Sequence, residues 1–407
     1  MSPPAPEIHL IAGTRPEAIK LAPVVAAMRA AGRLTPVMVA SGQHPTMVRQ
    51  ALAAFDQEPD VTLAVDRQTG SQPELLTELI RNLDELFGRR VPAAVVVQGD
   101  TTTTLAGALA AFWRRIPVVH LEAGLRSGDL DSPFPEEGNR RIVGQLAQLH
   151  LAPTTLAATN LLDENIRADQ VVLTGNTVVD AALDVAGRRA AFDDPNVAAA
   201  VEATADGAGR LILVTAHRRE SWGQPLDRVL AAVREIVTRY PDVRIVLPSH
   251  PNPAVRAAVE AGLGTVDRVT ITDPLPYAQL ARLLSLSYLT LTDSGGIQEE
   301  APSFRVPALV LREVTERVES IEAGCAKLVG TDTELIVAET ARLLDNPAAC
   351  VAMTASGNPY GDGHAAYRTE QAVAALLGLA NLPEPMRAAT RPRATSTMPL
   401  HTIGSSV

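Results

Sequence analysis

Short apolar runs alternate with helical patterns along most of the chain, and the runs form two series. Such runs, bounded by turn residues, are typical of strands buried on both faces of a sheet. The first series comprises Ile8–Ala12, Pro36–Ala40, Ala93–Val97, Val118–Leu121, Leu149–Ala152 and Val171–Leu173. The second series comprises Leu211–Thr215, Arg244–Leu247, Val269–Ile271, Leu289–Thr292, Ala308–Leu311 and Lys327–Val329.

Ala-rich helical patterns, such as Pro16–Ala31 and Thr103–Arg114, separate the runs. Alternation of strand and helix predicts parallel sheets with helices on both faces. The two series therefore predict an α/β protein with two doubly wound domains. Because ligands bind beyond the carboxyl ends of parallel strands, the expected ligand site is the cleft between the domains.

The predicted domains cover residues 7–185 and 209–365, and the segment between them is polar, Ala-rich and strand-free. A helix within residues 366–380 follows a turn-rich stretch, and we expect it to pack back on the first domain. Residues 383–407 are rich in Pro, Ser, Thr and Arg and have no apolar period, which predicts a disordered tail.

Composition narrows the classes of function. The chain of 407 residues carries 46 acidic and 36 basic residues, a net charge of -10, which argues against a nucleic-acid-binding protein. Its two cysteines, Cys325 and Cys350, form no Cys-x-x-Cys pair and fit a reducing compartment. Because a long apolar run and a signal-like N-terminus are both absent, the sequence predicts a soluble, cytoplasmic protein without membrane contact.

Chemically distinctive residues follow the predicted strands of the first domain. The segment Gly13–Lys20 combines a glycine turn, a helix N-terminus and two cations, Arg15 and Lys20. This combination favours an anion site, although an ordinary strand-to-helix turn explains it equally well. After the third strand, Asp100 precedes four threonines and is either a cleft carboxylate or a plain helix N-cap.

Two further carboxylates extend this pattern. Glu122 lies between an apolar run and Gly124, where it either faces the cleft or pairs with Arg126. Glu136 begins a predicted helix, and its spacing from Arg140 also fits an i,i+4 ion pair. Together with Asp100, these carboxylates predict an acid/base cluster at one sheet edge, because neighbouring carboxylates raise one another's pKa and can divide the two roles.

Cations follow the strands of the second domain. His217 ends one strand and precedes two arginines, a pattern that suits a diphosphate or a leaving group. His250 lies in a proline-rich loop after the next strand, and Arg317 follows a later strand. A lone histidine is more often structural, whereas a histidine beside two arginines at a strand end is less often so.

The glycine-containing loop before residue 297 is the most informative segment of the second domain. Ser294, Gly295 and Gly296 precede a predicted helix, where they allow close backbone approach to a phosphate and supply N–H donors. One turn later, Glu299 or Glu300 suits two ribose hydroxyls. A simple glycine turn is the alternative explanation.

The sequence lacks a Gly-x-Gly-x-x-Gly pattern, a Walker motif, a Gly-x-Ser-x-Gly motif and metal-ligand spacing. Nicotinamide-dependent, P-loop and triad-hydrolase functions therefore lose their specific support. What remains is a cleft with a carboxylate-rich first domain and a diphosphate-binding second domain. This arrangement describes a nucleotide-sugar enzyme.

Several segments closely resemble the bacterial non-hydrolysing UDP-N-acetylglucosamine 2-epimerases from about residue 8 to residue 380. They are GTRPEAIKLAPV, GDTTTT, HLEAGLRSGDL, SPFPEEGNR, TGNTVVDA, TAHRRES, DSGGIQEEAPS and KLVGTD. The resemblance implies two Rossmann-like domains of glycosyltransferase-B type with the active site in the interdomain cleft. It also implies a homodimer that interconverts UDP-GlcNAc and UDP-ManNAc without a cofactor or a metal.

The family's chemistry, as the resemblance implies it, is elimination of UDP to 2-acetamidoglucal followed by re-addition. The residues that match the family's catalytic positions are Asp100, Glu122, Glu136 and His217. The residues that match UDP-binding or site-steadying positions are Arg15, Lys20, Arg140, His217, Ser294, Gly295, Gly296, Glu300 and Arg317.

The resemblance also implies a second UDP-GlcNAc site that acts as an allosteric activator. Its matching positions are Gln43, His44, Arg67 and His250. The chain departs from the family pattern at Gln98, where histidine is usual, and at Val318, where proline is usual. Two alternatives stay open: a hydrolysing 2-epimerase that releases ManNAc and UDP, and a glycosyltransferase of the same fold.

Overall fold

Two parallel sheets form the framework of the protein, whose computed structural model describes residues 4–205, 207, 209–218 and 221–387. Within these residues the first sheet has the spatial order β3-β2-β1-β4-β5-β6-β7. Its strands are β1 Glu7–Ala12, β2 Thr35–Ala40, β3 Val61–Thr62, β4 Ala94–Gln98, β5 Val118–Leu121, β6 Leu149–Ala152 and β7 Val171–Leu173.

The second sheet has the spatial order β10-β9-β8-β11-β12-β13 in the described residues. Its strands are β8 Arg210–Thr215, β9 Val243–Pro248, β10 Val269–Thr272, β11 Leu289–Thr292, β12 Ala308–Val310 and β13 Ala326–Leu328. The prediction of two doubly wound parallel sheets is confirmed. The sequence missed only β3, a two-residue strand beside β2.

Helices cover both sheets. Those of the first domain are α1 Arg15–Ala31, α2 Pro45–Ala53, α3 Gln72–Arg89, α4 Thr102–Trp113, α5 Glu136–Leu146, α6 Thr155–Asp163 and α7 Thr177–Gly187. Those that follow are α8 Pro195–Glu202, α9 Gln224–Arg239, α10 Pro253–Leu263, α11 Tyr277–Ser285, α12 Gly295–Glu300, α13 Val318–Glu322, α14 Thr333–Asp345, α15 Pro347–Thr354 and α16 Ala365–Leu376.

Amphipathic spacing explains how the helices bury their apolar faces. In α3, the fully buried side chains are Leu75, Leu79, Leu83 and Phe87, which recur every four residues and pack on β4 and α4 side chains. The strands bury both faces, as expected for parallel sheets between two helical layers. The cores therefore form from aliphatic side chains on either side of each sheet.

The segment between the two predicted domains contains a helix that the sequence did not predict. Residues 185–209 hold α8, whose Val197 and Ala200 are buried in one cluster with Leu211 and Leu213 of β8. The sequence pattern hid this helix because its Ala-rich composition resembles that of a linker. Helix α8 therefore packs on the second sheet, and the domain bounds 7–185 and 209–365 stay a prediction.

The C-terminal segment returns to the first domain. Helix α16 packs on α1 and α7, and its Ala366 and Val373 belong to the apolar cluster beneath the first sheet. The predicted disordered tail begins too early, because Met386 is buried and its N–H donates to Leu173 O at 2.8 Å. Residues 388–407 of that predicted tail lie outside the described residues.

Candidate active site

The two sheets have their topological switch points at β1/β4 and β8/β11, where the order of strands reverses. The Gly13–Lys20 segment comprises the turn after β1 and the first residues of α1, and the loop after β4 carries Asp100. The loops after β8 and β11 carry His217 and Ser294. Two cavities open at these loops, and residues from both domains line each of them.

The small cavity, of about 220 Å³, collects predicted residues of the first domain. Lys20, Asp100, Glu122 and Arg140 line it, and Arg317 of the second domain closes one side. The small cavity therefore places two of the three predicted carboxylates beside three cations.

Asp100 is held by the helix that follows the next strand. Arg140 of α5 donates to Asp100 Oδ2 through Nε at 3.1 Å and Nη2 at 2.5 Å, and Asn139 Nδ2 donates to the Asp100 backbone oxygen at 2.9 Å. Asp100 Oδ1 has no hydrogen-bond partner among the described residues. The carboxylate is thus anchored through one oxygen, and its other oxygen is available to a ligand.

Glu122 occupies an uncommon backbone conformation, with φ of 62°. Lys20 Nζ donates to Glu122 Oε1 at 2.5 Å, and Asn176 Nδ2 donates to the same oxygen at 3.1 Å. Gln98 Nε2 donates to the other oxygen, Oε2. The expected alternative partner, Arg126, pairs instead with Glu164.

Glu136 stands apart from this cluster. It lies in the first turn of α5 but lines neither cavity, and its carboxylate has no hydrogen bond or ion pair among the described residues. The alternative of a Glu136–Arg140 ion pair is not formed, because the Arg140 guanidinium is occupied by Asp100 and by Glu137, whose Oε2 lies 3.0 Å from Nη1. The structure therefore unites Asp100 with Glu122 and leaves the role of Glu136 a prediction.

Lys20 and Arg317 join the two cavities. Arg317 Nε donates to Glu299 Oε1 at 2.5 Å, and Lys20 Nζ lies 3.7 Å from Glu299 Oε2. Burial alone would lower the pKa of both cations, but the carboxylates of Glu122 and Glu299 outweigh it and raise both pKa values. These four residues, which we call the interdomain network, keep two positive charges fixed between the domains.

The large cavity, of about 550 Å³, lies on the other side of the interdomain network. The predicted residues that line it are Arg15, Lys20, His217, His250, Ser294, Gly295, Gly296, Glu300 and Arg317. Ser294 caps α12, and its Oγ accepts from Ile297 N at 3.5 Å. The loop thus turns the first N–H groups of α12 towards the cavity mouth.

Asp293 holds His217 in place. Asp293 is fully buried, and its Oδ2 accepts from the backbone N–H groups of His217 and Arg218 at 2.8 Å each. Its Oδ1 lies 3.2 Å from His217 Nδ1, without the alignment of a hydrogen bond. Nδ1 therefore faces the carboxylate. The ring is 46% exposed, and its Nε2 has no hydrogen-bond partner among the described residues.

Glu300 is a buried carboxyl on the lining of the large cavity. Burial, followed by the adjacent Glu299 carboxylate, raises the pKa of Glu300 to about 8. The Tyr277 hydroxyl donates to Glu300 Oε1 at 3.5 Å, whereas Oε2 has no partner among the described residues. A buried acceptor without a partner beside a cavity suits an incoming hydroxyl donor.

The residues predicted for an activator site are Gln43, His44, Arg67 and His250, and their local contacts in the described residues differ. Gln43 Oε1 accepts from Thr103 Oγ1 at 2.8 Å, and His44 N donates to Gly13 O at 3.1 Å. Arg67 donates to the carbonyl groups of its own exposed loop. Only His250 of this set lines the large cavity, with its ring centroid 5.6 Å from that of Trp222.

Sequence reasoning missed several residues of the site. It assigned no role to Asp293, Gln98 or Asn176, and it considered Glu299 only as an alternative to Glu300. Asp293 and Gln98 could have been found from their positions in the sequence, because both lie at the carboxyl ends of strands at the switch points. The contacts of Asn176 and Glu299 join separate elements and carry no local pattern.

A protein-family model described as UDP-N-acetylglucosamine 2-epimerase matches residues 26–374, which is most of the chain. The chain belongs to the UDP-N-acetylglucosamine 2-epimerase family. The family member of Bacillus subtilis strain 168 is 43% identical over 362 residues, which are 89% of this chain and 93% of that protein. The family member of Escherichia coli strain K12 is 44% identical over 368 residues, which are 90% and 98% of the two chains.

A solved epimerase structure shares the fold. The crystal structure of UDP-GlcNAc 2-epimerase from Neisseria meningitidis bound to UDP-GlcNAc has a TM-score of 0.80 and 39% identity to this chain. The match covers 91% of this chain and 100% of that one. It agrees with the two-domain arrangement, and the cavities of this epimerase-family chain lie between its two sheets.

Metal-binding clusters and membrane-spanning helices are both absent from the described part of the epimerase-family chain. The described residues contain no group of three or more His, Cys, Asp or Glu side chains that could hold a metal ion. None of the helices in the described part combines the length and the apolar character that crossing a bilayer requires.

Proposed function

We propose that the chain interconverts UDP-GlcNAc and UDP-ManNAc in the cleft between its domains, reversibly and without net hydrolysis. The interdomain network of Lys20, Glu122, Glu299 and Arg317 carries this proposal, because it joins the carboxylate-lined small cavity to the large cavity. The sugar would occupy the small cavity and UDP the large one. Cavities of a few hundred Å³ are the usual size for such ligands.

The chemistry of the substrate explains why carboxylates and cations are both needed. The hydrogen on C2 is not adjacent to a carbonyl group, so its direct removal is disfavoured. In an elimination, a base takes the C2 proton, the C–H electron pair forms the C1–C2 double bond, and the C1–O pair leaves with UDP. Protonation of C2 from the opposite face and return of UDP to C1 give the epimer.

Asp100 is suited to one of the two proton transfers. Its Oδ1 is free while Arg140 holds Oδ2, so the carboxylate has a fixed orientation and an available oxygen. Glu122 is suited to the other proton transfer because Lys20, Gln98 and Asn176 fix its position.

The second domain is suited to hold UDP as a leaving group. Arg15 and Arg317 supply positive charge, and Ser294, Gly295 and Gly296 supply backbone N–H groups, at the place where the diphosphate would lie. Glu300 Oε2, which has no partner among the described residues, would form a hydrogen bond with a ribose hydroxyl. His217, oriented by Asp293, would face the sugar–phosphate bond through Nε2.

A homodimer, an activator site and a cytoplasmic location also belong to this proposal. Phe112 and Trp113, which are 46% and 62% exposed at the end of α4, offer an apolar surface for a second copy. His250 in the large cavity supports a regulatory ligand next to UDP. A lag in turnover of pure UDP-ManNAc that a trace of UDP-GlcNAc abolishes would support the activator site.

Incubation with UDP-GlcNAc alone tests the proposal against its alternatives. We expect UDP-ManNAc to accumulate until equilibrium, as anion-exchange chromatography would detect. Free ManNAc with stoichiometric UDP would identify a hydrolysing 2-epimerase instead. No reaction until an acceptor is added would identify a glycosyltransferase.

A further inference from the structure

His120 lies beneath the carboxylates of the small cavity and has no place in the chemistry described so far. It is a residue of β5, two positions before Glu122, and its side chain is 1% exposed. Its Nε2 lies 2.8 Å from the backbone oxygen of Gly99. Gly99 immediately precedes Asp100, so the buried His120 ring contacts the turn that carries Asp100. His120 also lies on β5, the strand that leads to Glu122.

The chemistry of this contact fixes the hydrogen of the ring. A carbonyl oxygen only accepts hydrogen bonds, so Nε2 must carry the hydrogen and donate it to Gly99 O. Burial lowers the pKa of His120 to about 4, and the ring is therefore neutral at neutral pH with its hydrogen on Nε2. The other nitrogen, Nδ1, has no partner among the described residues.

The Gly99 peptide is held from both sides. Gly99 has φ of 71°, and its N–H donates to Leu121 O at 3.0 Å while its carbonyl accepts from His120. Both contacts come from β5, the strand that ends at Glu122. The turn that carries Asp100 is thus fastened to the strand that carries Glu122 by two hydrogen bonds, one of them from His120.

We propose that His120 is a positioning residue for epimerisation, whose Nε2–H fixes the Gly99 peptide and thereby sets the position of Asp100 relative to Glu122. The inference rests on the proposed function through the role of Asp100. A displacement of about 1 Å in a reacting group can cost roughly 100-fold in rate, so a single hydrogen bond beneath the site has a measurable effect on turnover.

His150 provides a matched control. It lies opposite His120 in the β5–β6 register and is fully buried. Burial also lowers its pKa to about 4, yet it forms no hydrogen bond to the Gly99 turn among the described residues. Substituting either histidine perturbs the same buried layer, but only one substitution removes the contact to Gly99.

Two substitutions at His120 separate the hydrogen bond from packing. In His120→Gln the side-chain amide nitrogen reaches the position of Nε2. The asparagine side chain of His120→Asn is one methylene shorter, so its amide nitrogen lies near the position of Nδ1. For His120→Asn we expect kcat to fall roughly 10- to 100-fold while KM and UDP affinity stay within about threefold of wild type. For His120→Gln and His150→Asn we expect kcat within about fivefold of wild type.

The decisive comparison uses the purified full chain, with circular dichroism and melting temperature to verify folding of each variant. Similar melting losses in His120→Asn and His150→Asn, with kcat lost only in the former, would support the inference. Wild-type kcat in His120→Asn, equal losses in His120→Gln and His120→Asn, or an equal loss in His150→Asn would overturn it. An inactive wild-type protein would instead refute the proposed function on which the inference depends.

Discussion

At the scale of single residues, Asp293 follows β11 at the switch point of the second sheet and contacts the backbone N–H and the ring of His217. In Asp293→Asn, an amide NH₂ would face His217 Nδ1 in place of the carboxylate, so the ring would take the other tautomer. We expect kcat to fall roughly 100-fold or more, as for other orienting carboxylates behind a catalytic histidine. Steady-state kinetics measure this loss.

The double variant serves as the control for that prediction. If Asp293 acts through His217, then adding Asp293→Asn to His217→Asn should cost little further activity, because the two residues act as a unit. Additive losses would contradict the orienting role.

Glu300 makes stability depend on pH. Its pKa in the folded protein is about 8, above the ordinary 4.5, so the folded state binds the proton more tightly than the unfolded chain does. The free energy of unfolding should therefore decline as pH rises from about 4.5 to about 8. Above that range Glu300 is ionised in both states, so it adds no further dependence on pH. Glu300→Gln, which stays neutral, should melt above wild type at pH 9.

The pH 5 measurement is the internal control for Glu300→Gln. Near pH 5 the wild-type carboxyl is largely protonated in the folded state, so the melting difference between variant and wild type should shrink there. A difference of equal size at pH 5 and pH 9 would show that the effect comes from packing and not from titration. UDP affinity of the variant should fall mainly at pH 9, where the wild-type carboxylate is ionised and is the stronger acceptor for the ribose hydroxyls.

At the scale of elements, the turn between β1 and α1 depends on a close approach at Gly13. A Cβ at Gly13 would lie 2.1 Å from Thr103 Oγ1 and 2.8 Å from Ser41 Oγ, so the turn or α4 must move. We expect Gly13→Ala to destabilise the protein by about 1–3 kcal/mol and to displace Arg15. Thermal melting and UDP titration measure the two effects.

A second glycine provides the matched control for Gly13→Ala. Gly138 lies in α5, and a Cβ there meets nothing within 4 Å. Gly138→Ala should leave the melting temperature unchanged or raise it, because alanine favours a helix more than glycine by about 1 kcal/mol. Equal destabilisation by both substitutions would contradict the steric argument.

Elements were predictable where burial imposes a pattern. Strands buried on both faces need continuous apolar runs, so β4 and β8 were evident, whereas the two-residue β3 is too short to show one. Helix α8 was missed because only its Val197 and Ala200 are buried, and their partners lie on β8. The alternative Glu136–Arg140 pair could not be decided from local spacing for a similar reason, since Arg140 binds Asp100, 40 positions away in the chain.

At the scale of the whole molecule, an ion pair fastens the C-terminal helix to the first domain. Glu370 of α16 is fully buried and accepts from Arg33 Nε at 2.7 Å and Nη2 at 2.6 Å. Glu370→Gln should cost about 1–3 kcal/mol, because the Arg33 guanidinium loses its charged partner. Lower melting temperature and faster amide exchange in α16 are the expected observations.

An exposed ion pair on α3 is the control for the buried Glu370 pair, because it measures what a surface ion pair contributes to stability. Arg81 and Glu78 pair on the outer face of α3, with the arginine side chain 68% exposed. Glu78→Gln should change stability by less than about 1 kcal/mol, as is usual for such pairs. If Glu370→Gln had no larger effect, then α16 would be held by its apolar contacts alone.

We infer that epimerisation in the interdomain cleft breaks the C2–H bond and exchanges its proton with solvent. Proton NMR of UDP-GlcNAc incubated with the protein in deuterated water detects this exchange. We expect UDP-ManNAc to form with deuterium at C2, the C2–H signal of UDP-GlcNAc to decline as well, and Asp100→Asn to lose both changes together. UDP-ManNAc formed with its original C2–H intact would refute proton removal at C2.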